Sequence, residues 1–147
     1  AGWVDLSNAS GTLRLSTGTV SLLGTDDAHI HRDRLGTPAS SWGQADVLHL
    51  GVTHAPYTRV VSALASAGSD LILAGHTHGG QIGIPGGGAI ITNCDIARRY
   101  AKGLNRWETP DGSQSWLHVS AGLGTSPYAK IRIATRPEAS IIHVHPA

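Results

Sequence analysis

Two apolar runs, residues 45–52 and 71–74, each lead into histidine, and a segment of helical period lies between them. No other feature of the chain limits its fold as tightly. Pro56 stops the first run and biases Ala55 toward extended backbone, which leaves His54 at a strand's carboxyl end. Residues 58–68 place Val60, Val61, Leu64 and Ala65 at helical spacing, with Gly68 as a C-terminal stop. Residues 45–78 therefore read as a β-α-β unit. A right-handed parallel unit brings both strand ends to one edge of its sheet. His54, His76 and His78 are expected to converge there.

The second run ends in Gly75-His76-Thr77-His78-Gly79-Gly80. Two imidazoles one residue apart, on backbone that glycine allows to bend sharply, suit one metal or an adjacent pair. A bare H-x-H is more often a pair of polar turn residues than a metal site, and it is the flanking strand and the Gly-Gly that favour a metal. His143 and His145 form another H-x-H, but with no glycine break it carries less weight. His118 reads as an ordinary sheet histidine.

The remaining elements are plainer. Residues 13–16 and 19–24 read as strands joined by a turn at Thr17-Gly18. Residues 25–34, the densest polar stretch, read as a rim loop near a site or, in preference, as a solvated surface loop whose charges pair among themselves. Residues 81–88 are too glycine-rich for one regular element, and no Gly-Lys-Ser/Thr follows to make them a phosphate loop. A short strand is expected at 89–91, a helix at 95–102, a turn-rich excursion at 107–112 and a strand at 115–120. Residues 131–133 and 139–144 are expected to close the chain as an antiparallel pair.

Composition narrows the function classes. At 147 residues with 40% hydrophobic side chains, the chain can fold as a single domain, residues 1–147. A net charge of +1 argues against a nucleic-acid-binding face, the basic residues being scattered except for Arg98, Arg99 and Lys102. No run approaches the roughly 20 apolar residues of a membrane helix. Cys94 is the single cysteine, which excludes an internal disulfide and leaves the cellular address open, cytoplasmic or membrane-associated or exported.

The motifs Val52-Thr53-His54-Ala55-Pro56, Leu73-Ala74-Gly75-His76-Thr77-His78-Gly79-Gly80-Gln81-Ile82 and Gly122-Leu123-Gly124-Thr125-Ser126, with Arg132 and Arg136-Pro137-Glu138, follow one another in this order. In this the chain resembles the calcineurin-like metallophosphoesterases, above all the bacterial branch marked by GHTHGGQ and GLGTS. The resemblance implies an α/β fold, namely the C-terminal half of a four-layer α/β/β/α metallophosphoesterase sandwich. It implies two divalent ions (Mn, Fe or Zn), with His54 and His76 as ligands of one and His78 as ligand of its neighbour. It implies a phosphorylated substrate, a phosphomonoester or phosphodiester.

The family's earlier D-x-H, G-D and G-N-H-D/E signatures have no counterpart here, and Asp26 and Asp27 do not stand in such motifs. The chain thus reads as a partial domain without its N-terminal metal-binding half, inactive alone and prone to pair with that half or with itself. Two other readings stand beside it: a half-domain that binds a metal or partner without turnover, and a zinc amidohydrolase-type enzyme. The second would need further ligands, for which His118 and Asp111 are poor candidates.

Overall fold

The fold is taken from a computed structural model that describes residues 2–85, 88–126 and 130–145. Its main feature is a six-stranded sheet in the order β1-β2-β3-β4-β8-β7, comprising β1 (Ser10–Leu15), β2 (Gly18–Gly24), β3 (Val47–Val52), β4 (Leu71–Ala74), β7 (Gly103–Glu108) and β8 (Gln114–Val119). The four central strands β2, β3, β4 and β8 are parallel, and hairpins add β1 and β7 antiparallel at the edges. A two-stranded ribbon, β5 (Gly83–Ile84) and β6 (Gly88–Ala89), lies apart from it. The molecule is of mixed α/β class.

The β-α-β unit forms as its pattern dictates, with α1 (Thr58–Ser66) between the parallel strands β3 and β4. Helix α1 buries Val60, Val61, Leu64 and Ala65 against Leu23, Ile72, Ala74, Leu117 and Val119. Gly51 lies where the helix crosses β3. A Cβ there would meet Ser69 Oγ at 2.9 Å and Leu64 Cβ at 3.4 Å, so close packing of helix on sheet needs glycine. No side chain of its own caps α1. The Thr58 N–H is satisfied instead by the Asp95 carboxylate, at 2.7 Å, from a distant loop.

The strand register puts Leu13, Leu15, Val20, Leu22, Leu48, Leu50, Val52, Leu71, Leu73, Leu104, Trp116 and His118 on the opposite face. Among the described residues α1 is the one α-helix, and it lies on the other side. On this face Leu13, Leu15, Leu104 and Trp116 are 48%, 51%, 53% and 42% exposed, while Leu71 and His118 are buried.

Several expectations need correction. Residues 95–102 form only a one-turn 3-10 segment, Arg98–Tyr100, because Asp95 is committed to α1 and Thr92 Oγ1 donates to the carbonyls of Cys94 and Ile96. The excursion at 107–112 begins inside β7, which pairs with β8. The expected antiparallel pair 131–133 and 139–144 is not formed. Ile133 makes a parallel bridge to Ile82, and residues 139–145 are irregular, with Ile141 86% exposed and no strand alongside among the described residues.

Candidate metal centre

Four parallel strands end at one rim, the edge where open α/β sheets place their ligands. The ladder between β3 and β4 continues past the strand ends: Thr53 N donates to Leu73 O and Gly75 N to His54 O, each at 3.0 Å. This pairing carries His54 and His76 together. Their rings meet edge to face at 5.1 Å, and His54 Nε2 lies 3.3 Å from His76 Nδ1.

The proton positions on His76 follow from its partners. Its Nε2 lies 3.2 Å from the Asn93 carbonyl, which only accepts, so Nε2 carries the hydrogen. The lone pair of neutral His76 is then on Nδ1, facing His54. A backbone carbonyl that fixes the far nitrogen of an imidazole in this way is the usual support of a metal-binding histidine. Two nitrogens each bound at 2.0–2.1 Å to a tetrahedral ion stand about 3.3 Å apart. The pair therefore fits one divalent ion. No group of three ligand-type side chains is arranged to hold a metal among the described residues.

His78 lies on the same loop, shaped by left-handed backbone at His76 (φ 65°), His78 (φ 50°), Gly79 (φ 66°), Gly80 (φ 83°) and Gln81 (φ 39°). Thr77 pins it, its hydroxyl donating to Ala101 O at 2.6 Å and accepting from Gly79 N at 3.2 Å. Non-glycine residues at positive φ cost on the order of 1–3 kcal/mol each and cluster at functional sites. Burial holds both histidines below the ordinary imidazole range. For His76 the charges of His54 and His29 act with burial, against the Asn93 carbonyl and Asp27. For His78 Arg132 and His54 act with burial, against the Gly124 carbonyl. Both shifts favour the neutral, ligating form.

Arg132 binds this loop to the one after β8. Its guanidinium donates to the carbonyls of Ala121, Gly122 and Gly124 and, at 3.2 Å, to that of His78. Ser126 N donates to Gln81 Oε1 at 2.8 Å, a second tie between the two motifs.

Residues 25–34 are more than a solvated loop. Asp27 Oδ1 accepts from His29 N and caps a short turn, and Arg59 reaches from α1 to Ala28 O and the Asp33 carboxylate. His29 is thereby held with its ring 4.8 Å from that of His76 and its Nδ1 3.1 Å from Tyr57 Oη. The sequence allows a rim loop here but does not single out His29; its position after β2, a strand parallel to β3, is the available signal. The carboxylates here have other partners, Asp26 with Arg32 and Asp27 with the turn it caps. His143 and His145 stack on each other at 6.5 Å in exposed, irregular chain. His118 lies within β8, and Asp111, in the β7–β8 turn at the opposite edge, is bound by Thr109, Ser113 and Ser66.

No protein-family profile matches the chain, and no solved structure does. Over 138 residues, 93% of its length, the chain is 28% identical to the uncharacterized metallophosphoesterase YkoQ of Bacillus subtilis (strain 168). It spans 47% of that protein's length. What the chain is similar to is thus a metallophosphoesterase, and the likeness supports that family without singling out a branch of it.

Proposed function

We propose that the chain is the C-terminal portion of a calcineurin-like phosphoesterase with a four-layer α/β/β/α sandwich and two divalent ions, Mn, Fe or Zn. The observation that carries the reading is the pairing of His54 Nε2 with His76 Nδ1 at 3.3 Å, the other nitrogen of His76 being tied to a carbonyl. His54 and His76 hold one ion, and His78 contributes to its neighbour. Bound ions would polarise a phosphoryl group and lower the pKa of a shared water. The chain's own residues present neutral imidazoles on a rim stiffened by Thr77 and Arg132, open to a phosphomonoester or phosphodiester. The carboxylate ligands belong, in this reading, to residues outside this chain.

A second reading, metal binding without turnover, is favoured for the chain by itself because no described carboxylate joins the pair. One experiment weighs both. The chain, alone and joined to the preceding residues of its gene, is titrated with Mn, Fe and Zn and assayed on p-nitrophenyl phosphate and its bis ester. The chain alone is expected to bind metal and turn over poorly, while the joined protein is active and loses several powers of ten in rate with H54A/H76A. Full activity in that double variant, or activity without metal, would sink the phosphoesterase reading.

A further inference from the structure

Arg98, Arg99 and Lys102, the one basic cluster of the sequence, take no part in the histidine pair. They line a cleft of about 420 Å³ whose wall also includes Gly79, Ile84 and Thr135. Among the described residues no carboxylate lines the cleft and none of the three cations forms an ion pair. Exposed cations are ordinarily spread out or balanced by acids, and three lining one concavity make it electropositive. Arg99 is partly oriented already, its guanidinium 4.5 Å above the Tyr100 ring and donating to Tyr100 Oη at 3.2 Å.

We propose that this cleft binds the phosphate group of an organic phosphate, separately from the metal rim. Three positive charges favour a dianion over a carboxylate, and guanidinium forks match phosphate oxygens. The volume lies within the range of small-molecule sites and exceeds what a bare phosphate fills. Ile84, 57% exposed in the wall, offers the organic part an apolar contact. A soluble phosphate ester and a phospholipid headgroup share this chemistry, and Gly79, next to His78, makes the cleft a neighbour of the rim.

The test runs in chelator, so that it does not depend on the metal reading. Inorganic pyrophosphate is titrated calorimetrically, and phosphatidylcholine vesicles with and without phosphatidic acid are sedimented with the chain. Saturable pyrophosphate binding identifies a soluble ligand; co-sedimentation that requires phosphatidic acid, without pyrophosphate binding, identifies a headgroup. In either case R98Q/R99Q/K102Q weakens binding by about tenfold or more, as loss of charge-assisted contacts requires. H54A/H76A retains it, and R98K/R99K, which keeps the charge but loses the forks, weakens it less than the glutamine variant does, with thermal unfolding as the check on folding; if the triple variant unfolds, K102Q alone is read instead. Binding of neither probe, binding that survives the glutamine variants, or binding lost in H54A/H76A overturns the proposal.

Discussion

The loop that carries His76 and His78 is built from backbone angles that most side chains avoid, and single residues show how that strain is accommodated. Gly80, at φ 83°, packs so closely that an added Cβ would lie 2.2 Å from Ala89 Cβ, whereas Gly88, at φ 81°, has nothing within 4 Å. Alanine at Gly88 is expected to cost only the left-handed penalty of about 1–2 kcal/mol. Alanine at Gly80 adds a steric overlap to that penalty. Urea unfolding should rank Gly80→Ala well below Gly88→Ala, and equal costs would mean the loop is not packed as described. The histidines also set a pH dependence. Both have folded pKa values below the unfolded 6.5, so the unfolded chain binds more protons in the window just below 6.5. Stability of the metal-free chain is then expected to fall as pH drops through that window. His54, His29 and Arg132 work in that direction, and Asp27 and the carbonyls of Asn93 and Gly124 against it. Denaturation midpoints measured against pH should show the slope, and H76Q/H78Q should flatten it.

At the scale of elements, Arg132 joins two loops that belong to different strands. Lysine keeps its charge but not its fork, so Arg132→Lys should leave the carbonyls of residues 121–124 short of donors. Losing such charged hydrogen bonds costs about 1.5–3 kcal/mol. The loss should appear in unfolding midpoints and as faster proteolysis within residues 120–126. Ser69 gives the opposite case, since its Oγ is buried without a hydrogen-bond partner among the described residues. Ser69→Ala removes an unmet hydroxyl and should be neutral or stabilise by about 1 kcal/mol in the same measurement. What the sequence could and could not reveal follows the same division. The β-α-β unit was legible because Pro56, helical periodicity and Gly68 are local signals. Strand β7 was missed because its pattern is one of contacts: Trp107 is buried while Leu104 and Arg106 are exposed, with Arg106 over the Trp116 ring. The helix expected at 95–102 failed because Asp95 serves another element as a cap. The terminal strands failed where Arg132 and Ile133 spend their bonds on the loops of the rim. The convergence of His54 with His76 could be inferred from topology, whereas His29 depended on Tyr57, just before α1, and Arg59 within it.

Across the whole molecule, the sheet has one face packed on α1 and another with no helix over it among the described residues. That second face carries leucine or valine at nearly every position of the three strands β2 to β4, a pattern of strands buried on both sides. Exposed apolar patches beyond a few hundred Å² mark surfaces that another partner covers. Among the described residues β1 and β7 are the open edges of the sheet, where further strands can pair. In the proposed sandwich, a second sheet from the same protein would lie on this face. The chain by itself is therefore expected to associate, either with a second copy or with a separate chain that supplies that layer. Light scattering at micromolar concentration should give a mass above that of one chain. Lysine at Leu15 and Leu104, both about half exposed, should shift the mass toward monomer while leaving the α1 side of the core intact. A wild-type chain that stays a compact monomer, unchanged by those substitutions, would show that the face is covered from within. In that case residues 130–145, rather than a partner, would be the place to look for the covering layer.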